Sequence, residues 1–136
     1  MKIIDLFEIA ELPTPAQTNA WAESIKLKYG LENFDLWQYP GGDLKLDTLV
    51  VPKGIRKEGL GTKVMEELIR YADAHGFRLI LSVAVHDDRM GTTSRARLIR
   101  FYKRFGFVEN KGRNKDFTVR ASMIRKPKSI MNQKVS

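Results

Sequence analysis

The sequence predicts an α/β fold, α+β in its segment order, built on a mixed β-sheet, and three features carry this prediction. Two β-compatible stretches, NFDLWQY and LKLDTLVV, flank the turn Pro40-Gly41-Gly42-Asp43 and predict an antiparallel hairpin. Residues 49–85 run as strand, helix and strand, an order typical of a right-handed parallel crossover. An amphipathic helix over residues 15–29 precedes both features. At 136 residues the chain is one domain, expected at 1–127, with a flexible tail at 128–136.

The first third of the chain contains an opening strand, predicted at residues 2–9, followed by the helix. Thr14 and Gln17 have the spacing of a capping box around Pro15, which suits the first helical position. Gly30 is placed to end the helix after Tyr29 in a left-handed conformation. The face predicted to enter the core consists of Trp21, Ile25 and Tyr29.

A glycine-rich, basic turn separates the strand at residues 49–51 from the next helix, and its composition is typical of an anion-binding site. Glycines at 59 and 61 allow the backbone to approach a ligand closely, and the first N–H groups of the following helix have no intrahelical partner. Arg56 and Lys57 add positive charge. The spacing fits neither a P-loop nor a dinucleotide-binding fingerprint. The turn is therefore interpreted as a diphosphate site, with a tight turn bearing a solvated basic face as the alternative.

The second half of the chain alternates helix and strand. The helix after Gly61 should end at His75 before Gly76, with Val64, Met65, Leu68, Ile69 and Ala72 inside. Residues 77–85 predict a strand buried on both faces, and residues 86–93 a polar loop. Ser94 is placed to cap a helix that runs to about residue 105 and buries Leu98, Ile99 and Tyr102 or Phe101, with Gly106 terminating it. The last strands are predicted at 107–110 and 117–124.

Two motifs together resemble the GNAT superfamily of N-acetyltransferases. Arg56-Lys57-Glu58-Gly59-Leu60-Gly61 is similar to the family's acetyl-CoA motif in spacing and in its strand-to-helix context. Tyr102 precedes a Gly-Phe pair by four residues, as in the family's later helix. The resemblance covers about residues 44–125. It implies a GNAT-like mixed sheet with splayed central strands and helices on both faces, and acetyl-CoA as co-substrate. The segment before the cofactor turn has room for two strands, one fewer than usual.

The resemblance also implies roles for individual residues. Tyr102 would be the general acid for the departing thiolate, and a core tyrosine is the alternative. Asp47 or His86 would be the base, although a structural or solvated role is open for each. Asp87 and Asp88 could attract a cationic acceptor, with a solvated pair of loop residues as the alternative. Backbone N–H groups of the strand would hold the thioester carbonyl. The expected cofactor-binding residues are Leu49, Val50, Val51, Arg56, Lys57, Glu58, Gly59, Leu60, Gly61, Thr62 and Ser94. No spacing of histidines and carboxylates suggests a metal site.

Charge is the feature that bears on partners. The formal net charge is +8, and from Arg95 onward 13 basic residues face two acidic ones. Such a half can serve a nucleic acid, a polyanionic ligand or solubility alone. The alternative to an enzyme is therefore a basic module on a catalytically weak GNAT-like scaffold that binds nucleic acid or protein. No apolar run approaches a membrane span, and the absence of cysteine fits a cytoplasmic location. The acceptor, a small-molecule or protein amine, and a homodimeric state are left open.

Overall fold

A computed structural model describes residues 12–52, 59–83 and 95–128. Its α-helices are α1 (Pro15–Tyr29), α2 (Leu60–His75) and α3 (Arg95–Lys103), and a short 3₁₀ turn spans Gly112–Asn114. Its strands are β1 (Asn33–Gln38), β2 (Asp43–Val50), β3 (Arg78–Leu81), β4 (Val108–Glu109) and β5 (Met123–Arg125). The opening strand predicted at 2–9, the loop at 86–93 and the tail beyond residue 128 lie outside the described residues.

The five strands form one mixed sheet in the order β1-β2-β3-β5-β4. β1 and β2 pair antiparallel as the predicted hairpin, and β2 and β3 pair parallel as the predicted crossover. β5 pairs antiparallel with β3 and with β4. The predicted mixed α/β class is therefore confirmed. Between Leu12 and the turn after Pro52, the strands are β1 and β2, as the sequence suggested.

Helix α1 has the ends that its sequence specifies. The Thr14 hydroxyl accepts from the backbone N–H of Gln17 at 3.1 Å, and the Gln17 side chain accepts from the N–H of Thr14 at 2.8 Å. Gly30 ends the helix at φ 66°. On the inner side, Trp21 stacks on Tyr71 of α2 with ring centroids 4.1 Å apart. The two helices therefore lie side by side on one face of the sheet.

Helix α2 supplies the centre of the core. Val64, Met65, Leu68 and Ala72 are fully buried, while Ile69 is half-buried against them. Their cluster includes Leu44, Leu46, Leu79 and Leu81 of the parallel strands. Because alternate strand residues face opposite sides of a sheet, Lys45 and Ile80 face away from the helices α1 and α2. Gly76 ends α2 at φ 76°, as predicted.

A β-bulge at Asp47 changes which residues of β2 enter the core. Asp35 of β1 lies opposite Thr48, but the next residue, Leu36, lies opposite Leu46, so Asp47 is the extra residue. Before the bulge, Leu44 and Leu46 belong to the core cluster, whereas after it Leu49 and Val51 pack against that cluster. An inserted residue reverses the alternation of a strand and bends it. The bulge therefore redirects the last part of β2.

Three predicted strands are shorter than expected. Of the strand predicted at 77–85, residues 84 and 85 lie outside the described residues, and β3 covers only Arg78–Leu81 of the rest. After Leu81 the backbone bonds Ser122: the Ser122 N–H donates to the Leu81 carbonyl at 3.0 Å, and the Val83 N–H donates to the Ser122 hydroxyl at 2.7 Å. The strand predicted at 107–110 spans two residues, Val108–Glu109. The strand predicted at 117–124 is wrong over most of its length, since the ladder covers Met123–Arg125 and Phe117 is 81% exposed.

Candidate functional site

The parallel strands β2 and β3 stop pairing in the middle of the sheet. Their pairing runs from Asp43 opposite Arg78 to Leu46 opposite Leu81 and stops there, although β2 continues to Val50. Two causes act together, because the bulge at Asp47 bends β2 while Ser122 holds the continuation of β3 on the side of β5. Among the described residues, which stop at Val83 on this side, the two strands therefore leave a gap beside the end of β2.

The expected carbonyl-binding residues Leu49, Val50 and Val51 lie at this gap. They follow the last β2–β3 pair and are held from the other side by β1, where Val50 lies opposite Asn33 and Leu49 opposite Phe34. The Val50 carbonyl also accepts from the N–H of Glu32 at 2.9 Å. The side chains of Leu49 and Val51 pack on the core, which fixes this stretch of backbone.

The N-terminus of α2 follows the strand after a short connection. Gly59 is the N-cap, at φ 74°, and no side chain caps the helix. The first intrahelical bond is from Lys63 N–H to the Gly59 carbonyl at 3.2 Å. The preceding N–H groups, those of Leu60, Gly61 and Thr62, have no intrahelical acceptor by the geometry of a helix start, and they sit at the positive end of its dipole. This end of α2 can hold an anion.

Helix α3 packs beside the start of α2. A Cβ placed on Gly61 would lie 3.7 Å from the ring of Phe101, so the start of α2 lies close to that ring. Arg104, just beyond α3, donates from Nη2 to the Thr62 hydroxyl at 3.2 Å. Its guanidinium lies 5.2 Å from the Phe101 ring centroid and 5.7 Å from that of Phe105. A cation is thus fixed next to the uncapped helix start.

Tyr102 is held between aromatic rings on the inner side of α3. Its ring meets Phe101 and Phe107 edge-on, with centroids 5.3 and 5.7 Å away, and it packs against the main core cluster. Burial raises the pKa of the phenol above its ordinary value. No hydrogen bond from its hydroxyl to another described residue is present, which sets Tyr102 apart from the bonded hydroxyls of Tyr29 and Tyr71. A protonated phenol without a structural partner is available as a proton donor.

Of the two residues expected to act as the base, the structure describes Asp47 but not His86. Asp47 occupies the bulge at the gap, its side chain is 57% exposed, and the Lys45 ammonium lies 3.7 Å from its Oδ1. His86 lies outside the described residues. So do four expected cofactor contacts: Arg56, Lys57, Glu58 and Ser94. The described part of the site therefore consists of the gap, the start of α2 and the adjoining face of α3.

The sequence prediction missed a basic concavity on α3. Its lining consists of Arg97, Arg100, Phe101, Lys103 and Arg104, and its volume is about 720 Å³. Within it, Lys103 pairs with Glu109 at 3.3 Å, while Arg104 contacts a hydroxyl and two aromatic rings. Spacings of three and four place Arg97, Arg100 and Arg104 on one helical face. That spacing is visible in the sequence.

Two classes of site are not seen among the described residues. Within 12–52, 59–83 and 95–128, no three histidine, aspartate or glutamate side chains gather as metal ligands would. Over the same residues, none of the helices combines the length and apolar character needed to span a membrane.

Comparisons with known proteins agree with this architecture. The profile of the acetyltransferase (GNAT) family matches residues 28–107, more than half of the chain. Among solved structures, Ard1 from Thermoplasma volcanium is 17% identical with a TM-score of 0.52, over 90% of this chain and 85% of that one. A protein from Bacteroides thetaiotaomicron assigned to the GNAT family is 15% identical with a TM-score of 0.47, over 75% of this chain, which spans 58% of that one. No curated protein sequence matches the chain.

Proposed function

The chain belongs to the GNAT acetyltransferase family, and from that premise we propose that it transfers the acetyl group of acetyl-CoA directly to a primary amine. The family supports acetyl transfer in general. The observation that carries the finer proposal is the gap between β2 and β3 after the pair Leu46 and Leu81, since it gives an extended substrate arm a way through the sheet. The acceptor is proposed to be a small-molecule or protein amine.

The start of α2 fits the diphosphate of this co-substrate. It offers N–H groups from Leu60, Gly61 and Thr62, Gly59 gives the helix no side-chain cap, and a Cβ on Gly59 would meet no described atom within 4 Å. Arg104 would add a charge to the same anion from the side of Thr62. Arg56, Lys57, Glu58 and Ser94 are proposed to complete the site. When bound, acetyl-CoA supplies a thioester whose acetyl carbon an amine can attack.

The protein groups have separate tasks in the proposed reaction. Backbone N–H groups between Leu49 and Val51 would donate to the carbonyl oxygen as negative charge develops there. Tyr102 would hold the proton that the sulfur takes as it leaves, and its raised pKa keeps that proton in place at neutral pH. Asp47 or His86 is proposed to accept the proton of the amine. Of these two, Asp47 is at the gap and open to solvent.

Binding of acetyl-CoA can be tested with a matched pair of glycine variants. Gly59 and Gly112 have nearly equal φ angles, 74° and 79°, and an added Cβ at either meets no atom of the described residues within 4 Å. Gly59→Ala and Gly112→Ala should therefore carry similar backbone strain. We expect calorimetry to show weakened acetyl-CoA binding in Gly59→Ala alone. For the wild type, ligand at about 100 times its Kd should raise the unfolding free energy by about 2.7 kcal/mol. An unchanged melting curve at millimolar acetyl-CoA would end the proposal.

The basic concavity on α3 supports a second candidate function. Its four basic side chains suit phosphates, and the ring of Phe101 suits a stacked base. Both features would serve a nucleic acid as well as a nucleotide ligand. The contact between Arg104 and Thr62 favours acetyl-CoA, because it ties the concavity to the anion-binding helix start. Nucleic-acid binding would weaken steeply with salt. Absence of DNA and RNA binding at low salt, with acetyl-CoA binding intact, would remove this candidate.

Cytoplasmic location and homodimerisation stay predictions.

A further inference from the structure

A second cavity, of about 460 Å³, lies at the opposite end of β2 from the gap. Asp43 and Lys45 line it at the beginning of β2, and Ile80 forms part of its floor. Lys45 and Ile80 are paired in register and face away from α1 and α2, so the cavity opens on the other face of the sheet. Val119 and Arg120, from the segment between β4 and β5, form the facing wall. The volume is that of a small-molecule site.

The rim of this cavity is aromatic and exposed. Tyr39 lines it and is 39% exposed, while Trp37 is 60% exposed and meets Tyr39 edge-on with ring centroids 6.3 Å apart. Trp37 lies directly opposite Lys45 in the hairpin. Large aromatic side chains left open beside an apolar floor favour a ligand with a flat apolar body.

The charges around the cavity select the ligand's polar group. Asp43 is its acidic lining residue, and both of its carboxylate oxygens accept from Arg78, each at 2.8 Å. Arg78 also donates to Asp116 at 2.8 Å. The charges of Asp43 and Arg78 are therefore already paired within the protein. Arg120, by contrast, makes no side-chain ion pair within the described part of the chain, and Lys45 has only the 3.7 Å contact with Asp47. The cations available to a ligand are therefore Arg120 and Lys45.

We propose that this cavity binds a small aromatic carboxylate, with its ring between Tyr39, Ile80 and Val119 and its carboxylate held by Arg120 and Lys45. The fit combines a planar fork of donors, which suits a carboxylate, with an apolar floor and an aromatic rim. The cavity meets the gap through the 3.7 Å contact of Lys45 with Asp47, and the inference does not depend on acetyl transfer.

The test is an NMR titration of the ¹⁵N-labelled full-length protein, without acetyl-CoA, using phenylacetate as the probe. We expect saturable shifts at Tyr39, Lys45, Ile80 and the segment of Val119 and Arg120. Phenethylamine has the same ring with the opposite charge and should bind much more weakly. Free acetate, which lacks the ring, should also bind weakly.

Variants make the assignment specific. Arg120→Gln and Lys45→Gln should each weaken phenylacetate binding by about tenfold, the value of one charge-assisted hydrogen bond. Arg113→Gln removes an exposed arginine from the same loop outside the cavity and should leave the affinity unchanged. Because Arg120 is exposed, its variant is expected to fold normally. No saturation through the millimolar range, equal binding of phenethylamine, or unchanged affinity in Arg120→Gln would overturn the proposal.

Discussion

The guanidinium of Arg125 in β5 is buried against the carboxylate of Asp73 in α2, with Nη1 2.8 Å from Oδ1 and Nη2 3.1 Å from Oδ2. Its Nε donates to the Phe105 carbonyl, just after α3, at 2.7 Å. One side chain, 3% exposed, thus joins the helix that starts at Gly59 to the end of the helix that carries Tyr102. The relative position of the two halves of the proposed site depends on this contact.

Asp73→Ala should destabilise the protein strongly. It leaves the Arg125 charge buried without its partner, which typically costs about 3–5 kcal/mol. Equilibrium urea unfolding measures the loss. Lys28→Ala is the control, because it breaks a surface pair with Glu67 in which Lys28 is 58% exposed. Such pairs contribute at most about 1 kcal/mol. Equal losses in the two variants would contradict the structural role given to Arg125.

The Tyr102→Phe variant should lose most of its acetyl-transfer activity while remaining folded. General acid catalysis contributes about 10²- to 10⁴-fold in rate, so kcat for acetyl transfer should fall within that range. Acetyl-CoA affinity and stability should change little, since the hydroxyl bonds no other described residue. Tyr29→Phe is the matched control, because its hydroxyl donates to Glu67 at 2.8 Å and has no part in the proposed reaction. A Tyr102→Phe enzyme with wild-type kcat would show that Tyr102 is only a core residue.

The pH dependence of Tyr102 follows from the direction of its pKa. Burial disfavours the phenolate and raises the pKa above the ordinary value of about 10. The acid must be protonated to act, so its contribution should persist through neutral and mildly alkaline pH and disappear only above about pH 10. The ratio of kcat between the wild type and Tyr102→Phe, followed from pH 7 upward, checks this. A ratio that collapses near neutral pH would contradict the assignment.

Asp116 should make stability sensitive to acid. Hydrogen bonds from the Thr118 hydroxyl, from Arg78 and from the Thr118 backbone lower its pKa from 3.8 to about 2. A carboxylate with a lowered folded-state pKa stabilises the protein above its unfolded pKa, and that contribution is lost as the pH falls. Between about pH 4 and pH 2, the melting temperature of the wild type should fall more steeply than that of Asp116→Asn. Parallel curves would refute the linkage.

The Arg104→Gln variant should weaken binding of the nucleotide part of the co-substrate and leave binding of its reactive part unchanged. Loss of a cation beside the start of α2 should weaken acetyl-CoA by about tenfold, the value of one charged hydrogen bond. Acetyl-pantetheine lacks the nucleotide and its phosphates, so its affinity should not change. Arg113→Gln serves as the control for net charge. Equal weakening of both ligands would place Arg104 outside the phosphate site.

Local chemistry explains which elements the sequence predicted correctly. The ends of α1 follow from Thr14, Gln17 and Gly30, and the end of α2 follows from Gly76, because each cap is formed by residues close in sequence. The hairpin follows likewise from the turn between residues 40 and 43. The profile of the GNAT family confirms the family assignment, which the two motifs had suggested.

Side-chain hydrogen bonds and strand register, which the pattern of residues does not display, explain the errors. Residues 117–122 have the composition of a strand, but Asp116 accepts from the N–H of Thr118, and Asn110 donates to the carbonyls of Asp116 and Ala121. These side chains take the backbone groups that a ladder would need. The bulge was not predicted because the break in the alternation of LKLDTLVV, at Asp47 and Thr48, does not say which residue is the extra one; pairing with β1 shows that it is Asp47.

That extra residue means that the number of backbone units in β2 matters more to the opening than the identity of the side chain at position 47. Asp47→Ala would keep the insertion and hence the divergence of the strands. Deleting the residue would restore an uninterrupted pleat in β2 and so remove one of the two causes of the divergence. The opening would then depend on the hold of Ser122 on the continuation of β3 alone.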